Sequence, residues 1–390
     1  MHIHFDIRYD CEQDETFTSI GKSTKNRQKG NIRMNTTRRQ TLGLIGAGAL
    51  ATATASLLPR QARAATKITV LNWQGYGTDE AWALKAFTEK TGIEVVHDYF
   101  SSEPEMLTKL RTNPGVYDVV LINSARSQQA ASEGLISPID FSKVPNASGL
   151  SPELKNHANL QVDGKTNGVS WVWGITSLAI TEGSPKPDSY AALGDPAHKG
   201  RVALFDDAVT GVAIGALLSG QDMNNPKDLA VVTEKLKAFK PNIKLLWSSE
   251  DEWNKAFAAK EFDLSIFWSG AAVRSKRNSK LPVEFVVPKE GGIGWLDSLS
   301  VPATSTNPDA GLAFINYMID PDFYFQWATK VGAPASANAA AMAKLPTDDL
   351  NRLIHKPEYL KTMTIQSALP DDRREAFNNL WQEVKAFYAA

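Results

Sequence analysis

The sequence predicts an α/β fold of two lobes facing each other across a hinge cleft, with mixed, mostly parallel sheets flanked by helices. Three observations carry this prediction. Segments of strand character alternate with segments of helical spacing along most of the chain, which is the pattern of βαβ units. About 326 of the 390 residues remain once a leader-like N-terminal stretch is set aside, too many for one typical core. Two charge-poor strands, at residues 168–176 and within 288–302, can carry the chain from one half to the other and back.

The first 35 residues are polar, without hydrophobic periodicity, and Met34 offers a later start. Thr37-Arg38-Arg39-Gln40-Thr41-Leu42 then leads into an apolar Gly/Ala-rich run and Ala62-Arg63-Ala64. A basic region, an apolar region and a small-residue site in this order are expected of an export signal, and the paired arginines of the twin-arginine route. The apolar run, about seventeen residues, falls short of a spanning helix. Cleavage after Ala64 is expected to release the chain to the periplasm, with the twin-arginine export machinery as a partner. The one cysteine, Cys11, falls in the removed part, so neither disulfides nor a thiol nucleophile are expected.

Beyond the leader, residues 68–73 form a β-rich run closed by Gly75 and Gly77, and Thr78 is expected to cap a helix that Gly92 stops. A strand at 93–100, a short helix at 104–111 and a strand at 117–122 complete the first set. Ligands of such sheets sit at the carboxyl ends of the strands, which brings Trp73, Gln74 and Tyr76 to one site with Asn123 and Ser124 nearby. After the first crossover the alternation repeats. A strand at 202–205 ends in Asp206-Asp207, helices follow at 210–218 and 227–239, and an apolar strand at 264–268 ends in Trp268. Amphipathic helices are expected at 308–318, from Pro321 and at 371–387. The last places Phe377, Leu380, Trp381 and Val384 on one core-facing stripe, with acids in its first turn. The expected division is residues 65–172 with 299–336 as one lobe and 173–298 as the other. Residues 337–390 form a C-terminal helical segment packing across both.

Residues 288–302 also hold the most informative group of side chains. Gly291, Gly292 and Gly294 admit close approach by a ligand or a second backbone. Trp295 and Asp297, two apart on an extended chain, point to the same side. An aromatic face beside a carboxylate suits an ammonium group, attracted by the ring and neutralised by the acid. The competing reading makes Trp295 core and Asp297 a turn cap.

Other chemistries lack their residues. A net charge of −1 with interspersed signs gives no basic stripe for nucleic acid. The six histidines are scattered without metal-ligand spacing, and no nucleophile elbow or phosphate-cradling loop is present. No catalytic residue, metal or cofactor is therefore expected. Asp206-Asp207 could form an acid pair, but adjacent residues at a strand end point apart, and a cap for the following helix is the better reading.

In order and spacing, several motifs resemble the spermidine/putrescine-binding proteins of bacterial ABC importers, members of the type II periplasmic binding protein fold. They are Leu71-Asn72-Trp73-Gln74-Gly75-Tyr76, Tyr117-Asp118-Val119-Val120, Val172-Trp173-Gly174, Phe205-Asp206-Asp207-Ala208, Phe267-Trp268-Ser269-Gly270, and residues 288–293 followed by Trp295 and Asp297-Ser298-Leu299. The resemblance implies a small cationic amine held between the lobes, its methylenes on aromatic rings and its ammonium ends on carboxylates, and delivery to an inner-membrane ABC permease by a monomeric receptor. Carried over by position, the ligand-binding residues are Trp73, Gln74, Tyr76, Ser124, Asp207, Thr210, Trp268, Trp295 and Asp297.

Departures matter as well. Thr210 stands where such proteins carry a second acid, and Ala125 and Ala333 stand where they carry rings, with Arg126 beside the first. Arg126 is expected to be a solvated helix residue. If it faced the cleft, its guanidinium could pair with a ligand carboxylate, and an amino-carboxylate or opine-like solute becomes the alternative. An exported enzyme and a sensor built on the same cleft are the remaining readings.

Overall fold

The computed structural model describes residues 66–390. The N-terminal extension, the twin-arginine motif, the cleavage site at Ala64 and Cys11 lie outside the described residues. The fold is a type II periplasmic binding protein fold, a mixed α/β arrangement around one curled eleven-stranded sheet.

The chain opens with β1 (Thr66–Asn72), α1 (Ala81–Thr91), β2 (Ile93–Tyr99), α2 (Glu103–Thr112), β3 (Val119–Asn123) and α3 (Ser124–Ser132). β1 pairs in parallel with β2 and β3, the arrangement that crossover connections through helices produce. Gly92 ends α1 in the left-handed conformation, as its sequence position predicts. Thr78 does not cap that helix. Its hydroxyl is taken by the Asn72 amide at 2.7 Å, and α1 begins later, after Glu80, with no side-chain cap.

The 13-residue β4 (Val169–Thr181) is buried along nearly its whole length and is the first crossover. Its first half pairs antiparallel with β9 (Ile293–Ser300), the return crossover, and its second half with β7 (Leu264–Trp268) and β8 (Val283–Val286). Beyond β7 lie β5 (Val202–Phe205) and β6 (Ile243–Trp247), again parallel. The main sheet order is therefore β2-β1-β3-β9-β4-β7-β5-β6, two parallel wings joined by two antiparallel strands. The two wings form one continuous sheet rather than two, because β4 is long enough to pair with β9 along its first half and with β7 along its second, while β9 pairs on its other side with β3.

Helices α4 (Ala208–Leu218), α5 (Leu229–Lys237), α6 (Glu250–Ala258) and α7 (Ser269–Arg277) cover the second wing. Helices α8 (Pro308–Met318) and α9 (Pro321–Lys330) return to the first, and α10 (Asp371–Ala389) closes the chain. Apolar side chains gather in one core running from Ile68 to Ile175 and again from Leu296 to Ile365, and in two others on either face of the second wing. Phe377, Leu380, Trp381 and Val384 of α10 join one of the latter, between α4 and α5. Burying four such side chains favours docking by about 1.5–3 kcal/mol each, before ordering costs. Gly211 permits it: a Cβ there would lie 2.7 Å from the Trp381 ring.

Candidate functional site

The edge formed by the carboxyl ends of β1, β2 and β3 carries three loops, each leading into a helix. From the first, the Trp73 ring packs edge-on against Phe100 of the second at 4.5 Å, and Gln74 is exposed. Tyr76 turns inward onto Trp171 and Trp327, which stack on each other at 5.2 Å. Its hydroxyl donates to Asp297 Oδ2 at 2.9 Å. From the third, Asn123 Nδ2 donates to Asp297 Oδ1 at 2.9 Å while its own Oδ1 caps α3. One asparagine thus fixes both a helix start and a carboxylate.

Asp297 is 7% exposed, and no lysine, arginine or histidine among the described residues pairs with it. Burial pushes its carboxyl up to about 6, against the opposing help of the Tyr76 and Asn123 hydrogen bonds. Burial, and next the Asp297 charge, hold the Tyr76 phenol well above its ordinary value, so it remains a donor. The site therefore presents a desolvated carboxylate with two neutral donors and no counter-charge. A cation is what it lacks.

Trp295, two residues before Asp297 and ahead of a β-bulge, lies over Gly174 of the neighbouring strand. A Cβ on Gly174 would sit 2.2 Å from Cζ2 of that indole, so the glycine is the ring's seat. The glycines just before Trp295 have a different use. A Cβ on Gly291 would lie 2.6 Å from the Thr362 carbonyl, and one on Gly292 2.2 Å from Ile175, so they admit the packed C-terminal segment and the crossover strand. Of the two partners the sequence allowed for, a second backbone is the one accommodated.

On the second wing, β7, β5 and β6 end in Trp268, Phe205 and Trp247, whose rings lie 4.7 to 4.9 Å apart. Asp207 follows Phe205 and caps α4, accepting the Thr210 N–H at 2.7 Å. Thr210 itself is buried. Asp206 points away, to Trp381 and Lys385 of α10, so the two acids separate as expected for a strand end. Arg274 of α7 forms a bidentate pair with Glu250 and lies near enough to Tyr76 for its charge to be felt there.

Arg126 is not the solvated residue expected. It is half-buried in α3, donates to Gln129 at 3.1 Å, and shares its surroundings with Glu103, Arg374 and Asp371. Burial lowers its affinity for a proton, but a guanidinium stays charged. Ser124 is fully buried with its hydroxyl unpartnered. Sequence reasoning missed Glu103, the first residue of α2, whose Oε2 is also buried and unpartnered. Burial, and next the Asp297 charge, push that carboxyl up to about 8. The strand-end rule that selected Trp73 and Ser124 would have selected Glu103 too, had it been applied to β2.

A buried histidine ties the C-terminal segment to the crossover. His355 Nε2 accepts from Ser269 Oγ at 2.7 Å and Nδ1 donates to the Asn351 carbonyl at 3.2 Å, while Ser269 Oγ accepts from the Ile175 N–H. Burial lowers the imidazole to about 4, so it is neutral near pH 7.

Comparison with known proteins bears on this arrangement. Residues 82–352 match the family described as bacterial extracellular solute-binding protein. The chain belongs to that family. This solute-binding protein is 31% identical over 307 residues to the spermidine/putrescine-binding periplasmic protein of Escherichia coli, covering 77% of this chain and 85% of the relative. It is 32% identical over 314 residues to the protein of that name from Salmonella typhimurium, covering 78% and 87%. Among solved structures, it aligns with the spermidine/putrescine ABC transporter substrate-binding protein PotD from Streptococcus pneumoniae, in complex with calcium and HEPES. The TM-score is 0.74 at 26% identity, over 83% of this chain and 99% of that one. These relatives are binding proteins by name, not enzymes. Like the curated relatives, this protein is periplasmic. No described helix is long and apolar enough to cross a membrane.

Proposed function

We propose that this protein is the periplasmic receptor of an ABC importer for a polyamine or a related cationic amine, which it captures between two lobes and delivers to the permease. The observation that carries the reading is Asp297, a buried carboxylate held by Tyr76 and Asn123 with no cationic partner among the described residues. An ammonium group would supply the missing charge, and Trp295, Tyr76, Trp73 and Trp268 would line the alkyl chain. Asp207 keeps one oxygen on its helix cap and could offer the other to the ligand. Residues 65–172 with 299–336 would form one lobe, 173–298 the other, and 337–390 a segment across both, with the hinge in β4 and β9. The relatives, named as spermidine/putrescine-binding proteins, support the ligand class. Export by the twin-arginine route, on Arg38-Arg39, and a monomeric receptor belong to the same proposal.

A second reading, an amino-carboxylate or opine-like solute, is favoured by the half-buried Arg126, which could face a ligand carboxylate. A thermal-shift series of amines with and without a carboxylate separates the two. Binding to the folded state stabilises by about 2.7 kcal/mol at a hundredfold excess over Kd, so even a moderate ligand registers. Stabilisation by putrescine or spermidine supports the first reading. Stabilisation by amino-carboxylates alone supports the second, and no response to any amine rejects both.

A further inference from the structure

We propose that Glu103 is a second ligand carboxylate of the cleft, holding one ammonium end of an amine whose other end lies on Asp297, and that it makes the site prefer diamines to monoamines. This rests on the amine-receptor reading above.

Four observations converge on Glu103. It opens α2 directly after β2, on the edge that carries Trp73, and Phe100 of its own loop packs against that ring. It has no duty in its helix. Ser102 caps α2 by accepting the Glu105 N–H at 3.3 Å, and Glu105 in turn accepts from Ser101 N and Oγ at 2.9 and 2.6 Å. A first-turn acid serving only the helix dipole would be solvated, whereas Oε2 of Glu103 is shut off from solvent. It is also unpaired: among the described residues no hydrogen bond reaches that oxygen and no ion pair joins the residue to Arg126, whose Nη1 goes to Gln129 instead.

The fourth observation is its charged surroundings. Asp297 from β9 and Arg126 from α3 are the groups that act on Glu103, and the first outweighs the second. Two carboxylates desolvated in one site cannot both be ionised without cations between them. Ser124, at the start of α3, adds a fully buried hydroxyl with no partner. A diamine resolves all of these together: one ammonium on Asp297, the other on Glu103, with the proton of Glu103 released to solvent. The acid absent at Thr210 in the second wing would thus be supplied from the first.

The test is calorimetry on the purified full chain and its Glu103→Gln variant, which keeps side-chain size, using putrescine as a dication and n-butylamine as a monocation. The parent should bind putrescine more tightly and release protons near pH 7, seen as a dependence of the heat on the buffer's ionisation enthalpy. The variant should lose putrescine affinity by about thirtyfold or more, change for butylamine by no more than about threefold, and release no proton. A variant that keeps the parent's affinity and selectivity overturns the proposal while the amine reading stands. Equal losses for both amines also overturn it, marking a structural role. If the parent binds neither these amines nor spermidine but the chain melts cooperatively, the amine reading itself fails. Should Glu103→Gln not fold, Glu103→Asn is read in its place.

Discussion

At the scale of residues, the site is governed by where a charge is left without a partner. Asp297→Asn should lower affinity for a cationic amine by about 2–5 kcal/mol, measured by calorimetry, because the ligand ammonium would lose its charge partner. The same change should help the empty protein. With a folded pKa of about 6 against an ordinary 3.8, Asp297 binds more protons in the native than in the unfolded chain between those values. Its contribution to stability is complete below pH 3.8 and is lost as pH rises through 6. Ligand-free Asp297→Asn should therefore melt higher than the parent at pH 7.5, by the equivalent of about 1–3 kcal/mol. His355 has the opposite sign. Its folded value of about 4 lies below the ordinary 6.5, so its contribution is complete above 6.5 and is lost as pH falls through 4. Binding of n-butylamine, which engages Asp297 alone, should weaken about tenfold per unit as pH falls below 6, where Asp297 takes up a proton.

At the scale of elements, helix starts and strand ends do the positioning. Asp207→Ala removes the cap of α4 and should cost about 1 kcal/mol in denaturant unfolding. Gly174→Ala drives a methyl into the Trp295 indole and should displace the ring from its place over β4, changing intrinsic fluorescence and, if the ring lines the proposed cleft, weakening amine binding, with β4 still paired. Most elements were legible because their apolar spacing repeats and their ends carry Gly, Pro or Asp. The stripe of α10 is buried as its spacing predicts. Strand β6 and helices α6 and α7 went unread: α7 has small residues on its inner face and bases at its end, a pattern with little hydrophobic contrast. Thr78 misled because a threonine before a helix can be claimed by a nearby amide, here Asn72.

For the whole molecule, the continuous sheet sets how the halves can move. β4 and β9 are the strands that join the two wings, so the proposed closure would have to flex them. Small-angle scattering should record a smaller radius of gyration when the preferred amine is added, and no change for Asp297→Asn at the same concentration. A parent that binds without contracting would argue against hinge closure.

The sequence alone was enough to establish the two-winged α/β architecture, both crossovers and the pairing of Trp295 with Asp297 on one face. Each follows from local periodicity, glycine and proline punctuation and residue spacing, which act along the chain. Only the tertiary structure decided which groups that face meets. Tyr76 and Asn123 reach Asp297 across separations of 221 and 174 residues, Gly174 gives up its side-chain space to an indole from the next strand, and Glu103 comes under the charge of Asp297. Whether a carboxylate is paired, solvated or stranded depends on the neighbours that folding brings and the water it removes, and neither is written in the residues beside it.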